Sequence, residues 1–426
     1  MVNLHSLTIV LVYIVSRCIC NQYNSNGDKP LVLATWNIGL EEQQAVERVP
    51  FIINAILNSE ANVIGLQEAW GGPQILRTIY QAVKGKYPNF AVVDDNMRDY
   101  ISANHIPNKV YPPACPASDI LNFEVCFFQN CSAYSGVPQL ICAETKCSTQ
   151  FFRLYTNSKC WACIFDRYLS QKDPLGLNYC GAVNLPQYYS TSPGITPNST
   201  EAPWNNSVGL MILSDAKHPL TKVKGSVFSE FYVFIRGYII VTTCNEDLII
   251  ATTHLATVDY PLPHPAAGQF LNNVYGDWYA ENLGQAAELE SNVWNLLQNK
   301  HGVDNQKSAV MMGDYNMGIA SFAHNVSDIA PGTWYYIHGL NNSHGQPRWY
   351  DAYTQTPNLC TGCSDNLVVP YPIQYIFDHI FTHGPLFSST LFTKRVFDDN
   401  VSIIYNNSNV TTSLSDHYGV EMIVIP

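Results

Sequence analysis

Leu31–Ile38, LVLATWNI, is a continuous apolar run that closes on a polar tip. This is the pattern of a strand covered on both faces, not one that alternates between core and solvent. After it, Val46, Val49, Ile52, Ile53, Ile56 and Leu57 recur at helical spacing across residues 44–58. Val63–Leu66 is a second apolar run, ending at Gln67-Glu68. A further helix runs from about Ile75 to Val83, stopped by Gly85 and Pro88. Strand–helix–strand–helix order predicts an α/β core with its active groups at strand ends.

From about Tyr100 to Trp204 no period is sustained. Eight of the 13 cysteines fall there, between Cys115 and Cys180, among prolines and the aromatic pairs Phe127-Phe128 and Phe151-Phe152. This stretch is expected to be a disulfide-stapled insertion at about 100–204. Strand-like runs resume at Val208–Leu213, Phe231–Ile235, Tyr238–Thr243 and Leu248–Thr253. A helix over Leu283–Leu297 leads into a buried strand at Ala309–Met312, and the last strands are expected at Ile373–Phe381 and Val420–Ile425.

The 426 residues carry 22 Lys plus Arg against 34 Asp plus Glu, a net charge of −12. That disfavours broad phosphate neutralisation, and with it a protein that wraps nucleic acid, but leaves room for a nuclease with one local cationic site. Hydrophobics at 46% exclude a largely disordered chain.

Residues 7–15, LTIVLVYIV, followed by Ser16-Arg17-Cys18-Ile19-Cys20, have the form of a signal peptide over residues 1–20, leaving 21–426 as the mature chain. No later run approaches the ~18 apolar residues of a membrane-spanning helix. Asn-X-Ser/Thr sequons at Asn130, Asn198, Asn205, Asn325, Asn341, Asn400, Asn406 and Asn409 agree with export. In an oxidising compartment the cysteines default to disulfides, and the pairs Cys160/Cys163 and Cys360/Cys363 are expected to close short loops rather than bind zinc. The expected location is extracellular.

Polar residues directly follow apolar runs at Asn37 (TWNIG), Glu68 (LQEAW), His254 (TTHLA), Asp314 and Asn316 (GDYN), Asp378 (YIFDHIF) and Asp416-His417 (LSDHYG). Each alone has a plain structural explanation: an Asx turn for GDYN, a hydrogen-bonding core histidine for His254, a helix cap or loop for SDH. His379, beside Asp378, is read as structural. The same placement recurring along one chain favours chemistry. Mg2+ takes oxygen ligands, with one or two carboxylates and retained water. Glu68 and Asp314, with the amide oxygens of Asn37 and Asn316, provide such a set, while His254 and His417 add groups that titrate near neutral pH.

In order, TWN, QE, THL, GDYN and SDH resemble the endonuclease/exonuclease/phosphatase (deoxyribonuclease-I-like) superfamily, over about residues 31–99 and 205–426. Within it the chain is most similar to secreted neutral sphingomyelinases. VIGLQEAW precedes a helix and KGKYPNF, Val208–Ser214 matches their GVAIVS strand, and Arg236-Gly237 stands where they have Lys-Gly. Gln285, the Trp349 and Asp351 pair and the ending SDHYGVE also match. The Gln that often follows THL is absent, and the insertion has no counterpart.

The resemblance implies a four-layer α/β (α+β) sandwich, two packed mixed sheets flanked by helices, and a metal-dependent phosphoester hydrolase. By the same carry-over Glu68, with Asn37, holds Mg2+ or another divalent cation, and His417 is the general base oriented by Asp378. His254 contacts phosphate or protonates the leaving group. Asp314 and Asn316 position water and phosphate, and Asp416 supports the site. The implied reaction is sphingomyelin cleavage to phosphocholine and ceramide, with transient contact to a membrane surface. That contact is made in these enzymes by an aromatic hairpin between the Asp378 and Asp416 motifs; here the stretch has Phe387, Leu391 and Phe392, but also three sequons whose glycans would oppose insertion. A secreted endonuclease and a catalytically silent extracellular binding protein remain the alternatives.

Overall fold

The computed structural model describes residues 30–40, 44–69, 72–93, 115–133, 142–143, 145–155, 160, 208–229, 236–243, 247–258, 277–299, 302–303, 307–321, 325–341, 345–353, 360–369, 371–387 and 391–425. The proposed signal segment and the strand expected at 231–235 lie outside them.

The opening run forms β1 (Leu31–Asn37), every residue of it buried. It is followed by α1 (Ala45–Asn58), β2 (Val63–Gln67), α2 (Gly72–Val83) and the short β3 (Asn89–Val92). In the insertion lie α3 (Ala117–Asn130) and α4 (Ser148–Tyr155). Then come β4 (Met211–Ser214), β5 (Thr221–Val227), β6 (Gly237–Thr243), β7 (Leu248–His254) and α5 (Trp278–Leu297). A two-residue pair, β8 (Gln298–Asn299) and β9 (Gly302–Val303), precedes β10 (Ser308–Asp314), α6 (Pro331–Gly339), β11 (Tyr350–Asp351) and β12 (Asp378–His383). The chain finishes with β13 (Leu391–Val396), β14 (Asn400–Tyr405), β15 (Ser408–Ser413) and β16 (Gly419–Val424).

Two six-stranded sheets result, ordered β13-β16-β1-β2-β4-β3 and β11-β12-β10-β7-β6-β5. Both are mixed: β1 runs parallel to β2 and β7 parallel to β10, with antiparallel neighbours on either side. Leu31, Leu33, Val63, Ile212, Val420 and Met422 of the first sheet meet Val241, Ile250, Val310, Met312 and Ile380 of the second. The outer face of the first sheet (Val32, Ala34, Ile64, Leu66) packs on Val49, Ile52 and Ile56 of α1. That of the second (Ile240, Ile249, Ala251, Met311) packs on Leu289 and Val293 of α5 and Ile337 of α6. These are the four layers expected from the resemblance, and they explain why the central strands are apolar on both faces.

A polar thread crosses the dry interface. Thr35 Oγ1 donates to Gln67 Oε1 (3.2 Å), and Gln67 Nε2 donates to Thr252 Oγ1 of the opposite sheet (2.8 Å). A second tie is Arg48 of α1, fully buried, whose guanidinium donates to the carbonyls of Leu414 (2.6 Å), Gly39 (2.5 Å) and Ile38 (3.5 Å). It thereby locks the loop after β1 to the loop before β16. Arg48 takes the inward place on α1 while Val46 is exposed, the reverse of the expected polarity.

Three features depart from the sequence reading. The stretch expected as strand from Ile373 becomes one only at Asp378; Gln374 and Tyr375 make single bridges to Val326 and Gly362 instead. The insertion contains real helices: on α3 Ile120, Phe123 and Phe127 are buried, while the apolar Leu121, Val125 and Phe128 are exposed, which blurs its period. Among the described residues its disulfides are Cys115–Cys160, Cys126–Cys147 and Cys131–Cys142, so Cys160 does not close a short loop with Cys163, which is outside the described residues. Cys360–Cys363 does form the expected short bridge.

Replacing Arg48 by Met should strip buried carbonyls of their donor. We expect a loss of about 3 kcal/mol or more, measured by urea unfolding; an unmoved midpoint would show that the tie between the two loops carries no stability.

Candidate active site

The registers of the second sheet set a row of polar groups. Asp314 ends β10 opposite His254 at the end of β7 and opposite Asp378 at the start of β12. In the first sheet, Asn37 ends β1 opposite Gln67, and Glu68 follows directly. Because the sheets stack face to face, both rows arrive at the same edge of the sandwich. Two glycines permit the close approach. Gly313 (φ +153°) sits against the backbone of Thr253, where a Cβ would collide with the Thr253 carbonyl. Gly39 (φ +53°) lies where a Cβ would strike the Asp416 carboxylate. Glu68 and Asn316 have φ of 50° and 48°, a left-handed backbone that non-glycine residues adopt at a cost of order 1–3 kcal/mol.

All eight residues singled out in the sequence converge here. Asn37 Nδ2 donates to Asp314 Oδ2 across the two sheets (2.9 Å), while Asn37 Oδ1 accepts from Gly39 N–H (3.0 Å). Asp314 Oδ1 accepts from the Asn316 backbone N–H (2.9 Å), and Asn316 Nδ2 donates to Leu255 O (3.0 Å). His254 Nε2 is 3.3 Å from Asp314 Oδ2 and its Nδ1 is 3.8 Å from Glu68 Oε1. His417 Nδ1 lies 2.9 Å from Asp378 Oδ2 and 3.6 Å from Asp314 Oδ2, with Asp416 Oδ2 3.9 Å from Nε2. The Ser415-Asp416-His417 loop is docked on β1: Ser415 Oγ donates to Asn37 O (2.7 Å), and Trp36 Nε1 to His417 O (3.1 Å).

Two neighbours escaped the sequence reading as site residues. Arg236 is buried, and its Nη1 sits 2.6 Å from His254 Nδ1. A guanidinium can only donate, so Nδ1 accepts and Nε2 carries the imidazole proton. The signal was an arginine directly before a buried strand, the position where the resemblance has Lys-Gly. Tyr371 places its hydroxyl 3.3 Å from His417 Nε2, and nothing in its local sequence marks it. His379 is structural as expected, bound through Nδ1 to Asp351 Oδ2 (2.8 Å) and through Nε2 to Met317 O (2.7 Å). Gln285 also serves structure, accepting from Ala256 N–H (2.8 Å) and fixing the loop after His254.

The two histidines are held in opposite states. Burial, then the Arg236 charge, then His417 keep His254 well below its ordinary pKa, so it is neutral at pH 7. Burial also opposes charge on His417, but the carboxylates of Asp314, Asp378 and Asp416 override it and raise the imidazole to about 10. Burial lifts Asp314 to about 6, with His417 pulling the other way.

Glu68, Asp314, Asp378 and Asp416 are each more than nine-tenths buried, and Arg236 and protonated His417 are the cations that face them among the described residues. A surplus of two negative charges in a dry site is costly. Two overlapping groups, Glu68/His254/Asp314 and Asp314/Asp378/His417, bring ligand atoms within 4.8 Å of one another. Oxygen-rich donors and a twofold charge deficit fit a hard divalent cation better than zinc or copper.

No family model matches the sequence, and no curated protein matches it. Solved structures do. SmcL superposes with a TM-score of 0.51 at 11% identity, covering 93% of this chain and 99% of that chain. Sphingomyelinase C from Streptomyces griseocarneus gives 0.47 at 12%, over 93% and 100%. An endonuclease/exonuclease/phosphatase family protein from Bacteroides thetaiotaomicron gives 0.44 at 10%, over 93% and 98%. The chain shares its fold with SmcL. At this identity the likeness to SmcL speaks for the fold alone.

In metal-free protein the pH sign follows from His417. Its folded pKa, about 10, is above its unfolded value of 6.5, so its stabilising contribution is complete below about pH 6.5 and is lost as pH rises through 10. With chelator present, Tm should fall between pH 7 and 10, and His417→Gln should flatten that fall; parallel curves for the two proteins would refute the assignment.

Proposed function

We propose that the protein is a secreted, divalent-metal-dependent phosphodiesterase, and that sphingomyelin is the substrate it is best suited to cleave. The observation that carries the reading is the clamp on His417. With Nδ1 turned to the Asp378 carboxylate (2.9 Å), Nε2 is the edge left to exchange a proton, beside a carboxylate cluster in need of a dication.

Glu68 and Asn37 would hold the metal, Mg2+ being the favoured ion, with Asp314 beside them. A dication there would neutralise charge on the phosphoryl oxygens and, by sharing the field of these carboxylates, bring His417 down toward the neutral form that a base requires. His417 then accepts a proton from the attacking water, oriented by Asp378. His254, kept neutral by burial and Arg236, carries its proton on Nε2, 3.3 Å from Asp314 Oδ2, where a phosphate entering beside that carboxylate would accept it. That geometry supports binding and charge stabilisation over protonation of the leaving group. Asn316 and Asp314 position phosphate and water, and Asp416 sits beside the Ser415 loop, its Oδ1 3.0 Å from Ser415 Oγ.

The disulfides support export, together with the sequons and the apolar leader. Among the described residues no helix is long and apolar enough to cross a membrane. Contact with a bilayer would be transient. The β14–β15 hairpin, between the Asp378 and Asp416 motifs, exposes Ile404 as its large apolar side chain, and Asn400, Asn406 and Asn409 are exposed on it. The net charge of −12 is compatible with a zwitterionic lipid surface and unfavourable for DNA.

Purified protein should be given sphingomyelin liposomes, phosphatidylcholine liposomes and plasmid DNA, each with Mg2+ and with chelator. Metal-dependent phosphocholine release from sphingomyelin is expected. DNA nicking would select the endonuclease alternative, and silence on all three would leave the silent binding protein. His417→Ala and Glu68→Gln should each cost about 10²–10⁴ in rate while the fold persists; near-normal turnover by either folded variant refutes its role.

A further inference from the structure

Residues 360–369 and 371–377, ahead of β12, form a strap beside the general base. Cys360–Cys363 closes its start. Thr361 pins it twice: its Oγ1 accepts from the N–H groups of Phe377 (2.9 Å) and Asp378 (3.3 Å), and its carbonyl accepts from Tyr418 N–H (3.0 Å). Asn366 Nδ2 donates to Ser415 O (2.8 Å), tying the strap to the loop that carries His417. Phe377 stacks on the His417 imidazole (5.0 Å, 29°), and Tyr371 packs on Phe377 (5.4 Å). The strap is thus fixed at both ends to the elements that hold the Asp378–His417 pair.

What it delivers is one hydroxyl. Near His417 Nε2 lie Tyr371 Oη at 3.3 Å and Asp416 Oδ2 at 3.9 Å. A water held at Nε2 needs two to four polar partners to be fixed in direction. A carboxylate can only accept, whereas a tyrosine hydroxyl can donate and accept, and so can orient a water whichever way its protons point. The half-buried ring packs on Phe377 and meets the His417 ring edge-on (6.1 Å).

We propose that Tyr371 is a positioning residue that orients the attacking water at His417 Nε2, an inference that rests on the phosphodiesterase reading above. In the step it serves, one water proton passes to Nε2 and a lone pair of the water oxygen forms the new P–O bond. The bond from phosphorus to the leaving oxygen breaks with its electron pair, and that oxygen takes its proton from solvent. Tyr371 keeps its own proton throughout.

Tyr371→Phe preserves the ring and removes only the hydroxyl. On a soluble phosphodiester with Mg2+, kcat should fall about 10- to 100-fold with KM changed less than about threefold and Tm unmoved. In the ¹⁵N spectrum of the metal-free protein, the His417 Nε2 resonance should shift in the variant while Nδ1, held by Asp378, stays in place. A folded variant as fast as an active wild type overturns this proposal alone, as does an unmoved Nε2 resonance. A wild type inert toward every phosphodiester overturns both this and the underlying reading.

Discussion

A carboxylate removed from water must be solvated by protein, and Asp314, at 1% exposure, meets that demand from both sheets at once. Asn37 reaches it from the first sheet, while the Asn316 N–H and His254 approach from the second. The site therefore depends on the sheets being stacked in one register. A slip of a single residue in β10 would turn Asp314 to the opposite face and leave Asn37 without its acceptor.

The same geometry holds two histidines in opposed protonation states. One is tied to a guanidinium and stays neutral; the other is ringed by carboxylates and becomes cationic. Pairs of titratable groups pushed apart by their surroundings are a recurring way to set distinct roles inside one cavity. Here burial and then Arg236 hold one imidazole down, while Asp314, Asp378 and Asp416 raise the other against burial.

Much of this was readable in the chain. β1, β2, β7 and β10 announce themselves as largely apolar runs; β1, β7 and β10 end on Asn37, His254 and Asp314, and Glu68 directly follows β2. What the sequence hid is of two kinds. The helices of the insertion are held by disulfides and aromatic contacts, and exposed apolar residues beside the buried ones on α3 blur the contrast that marks a helix face. Tyr371 and Arg236 act through tertiary proximity: Tyr371 sits 46 positions from its partner and Arg236 sits 18 from its own. The edge strands β3, β13, β14 and β15 are short or polar, and were missed for that reason.

The strand that opens the sandwich pairs with the strand that closes it: β1 lies between β2 and β16, and Trp36 bonds to His417 across 381 positions. During synthesis, then, β1 keeps one edge bare until β16 has been made. The row of polar side chains at the sheet edge can assemble only after that pairing. A chain made only as far as β15 thus presents an unpaired strand edge, the kind of surface that joins other chains.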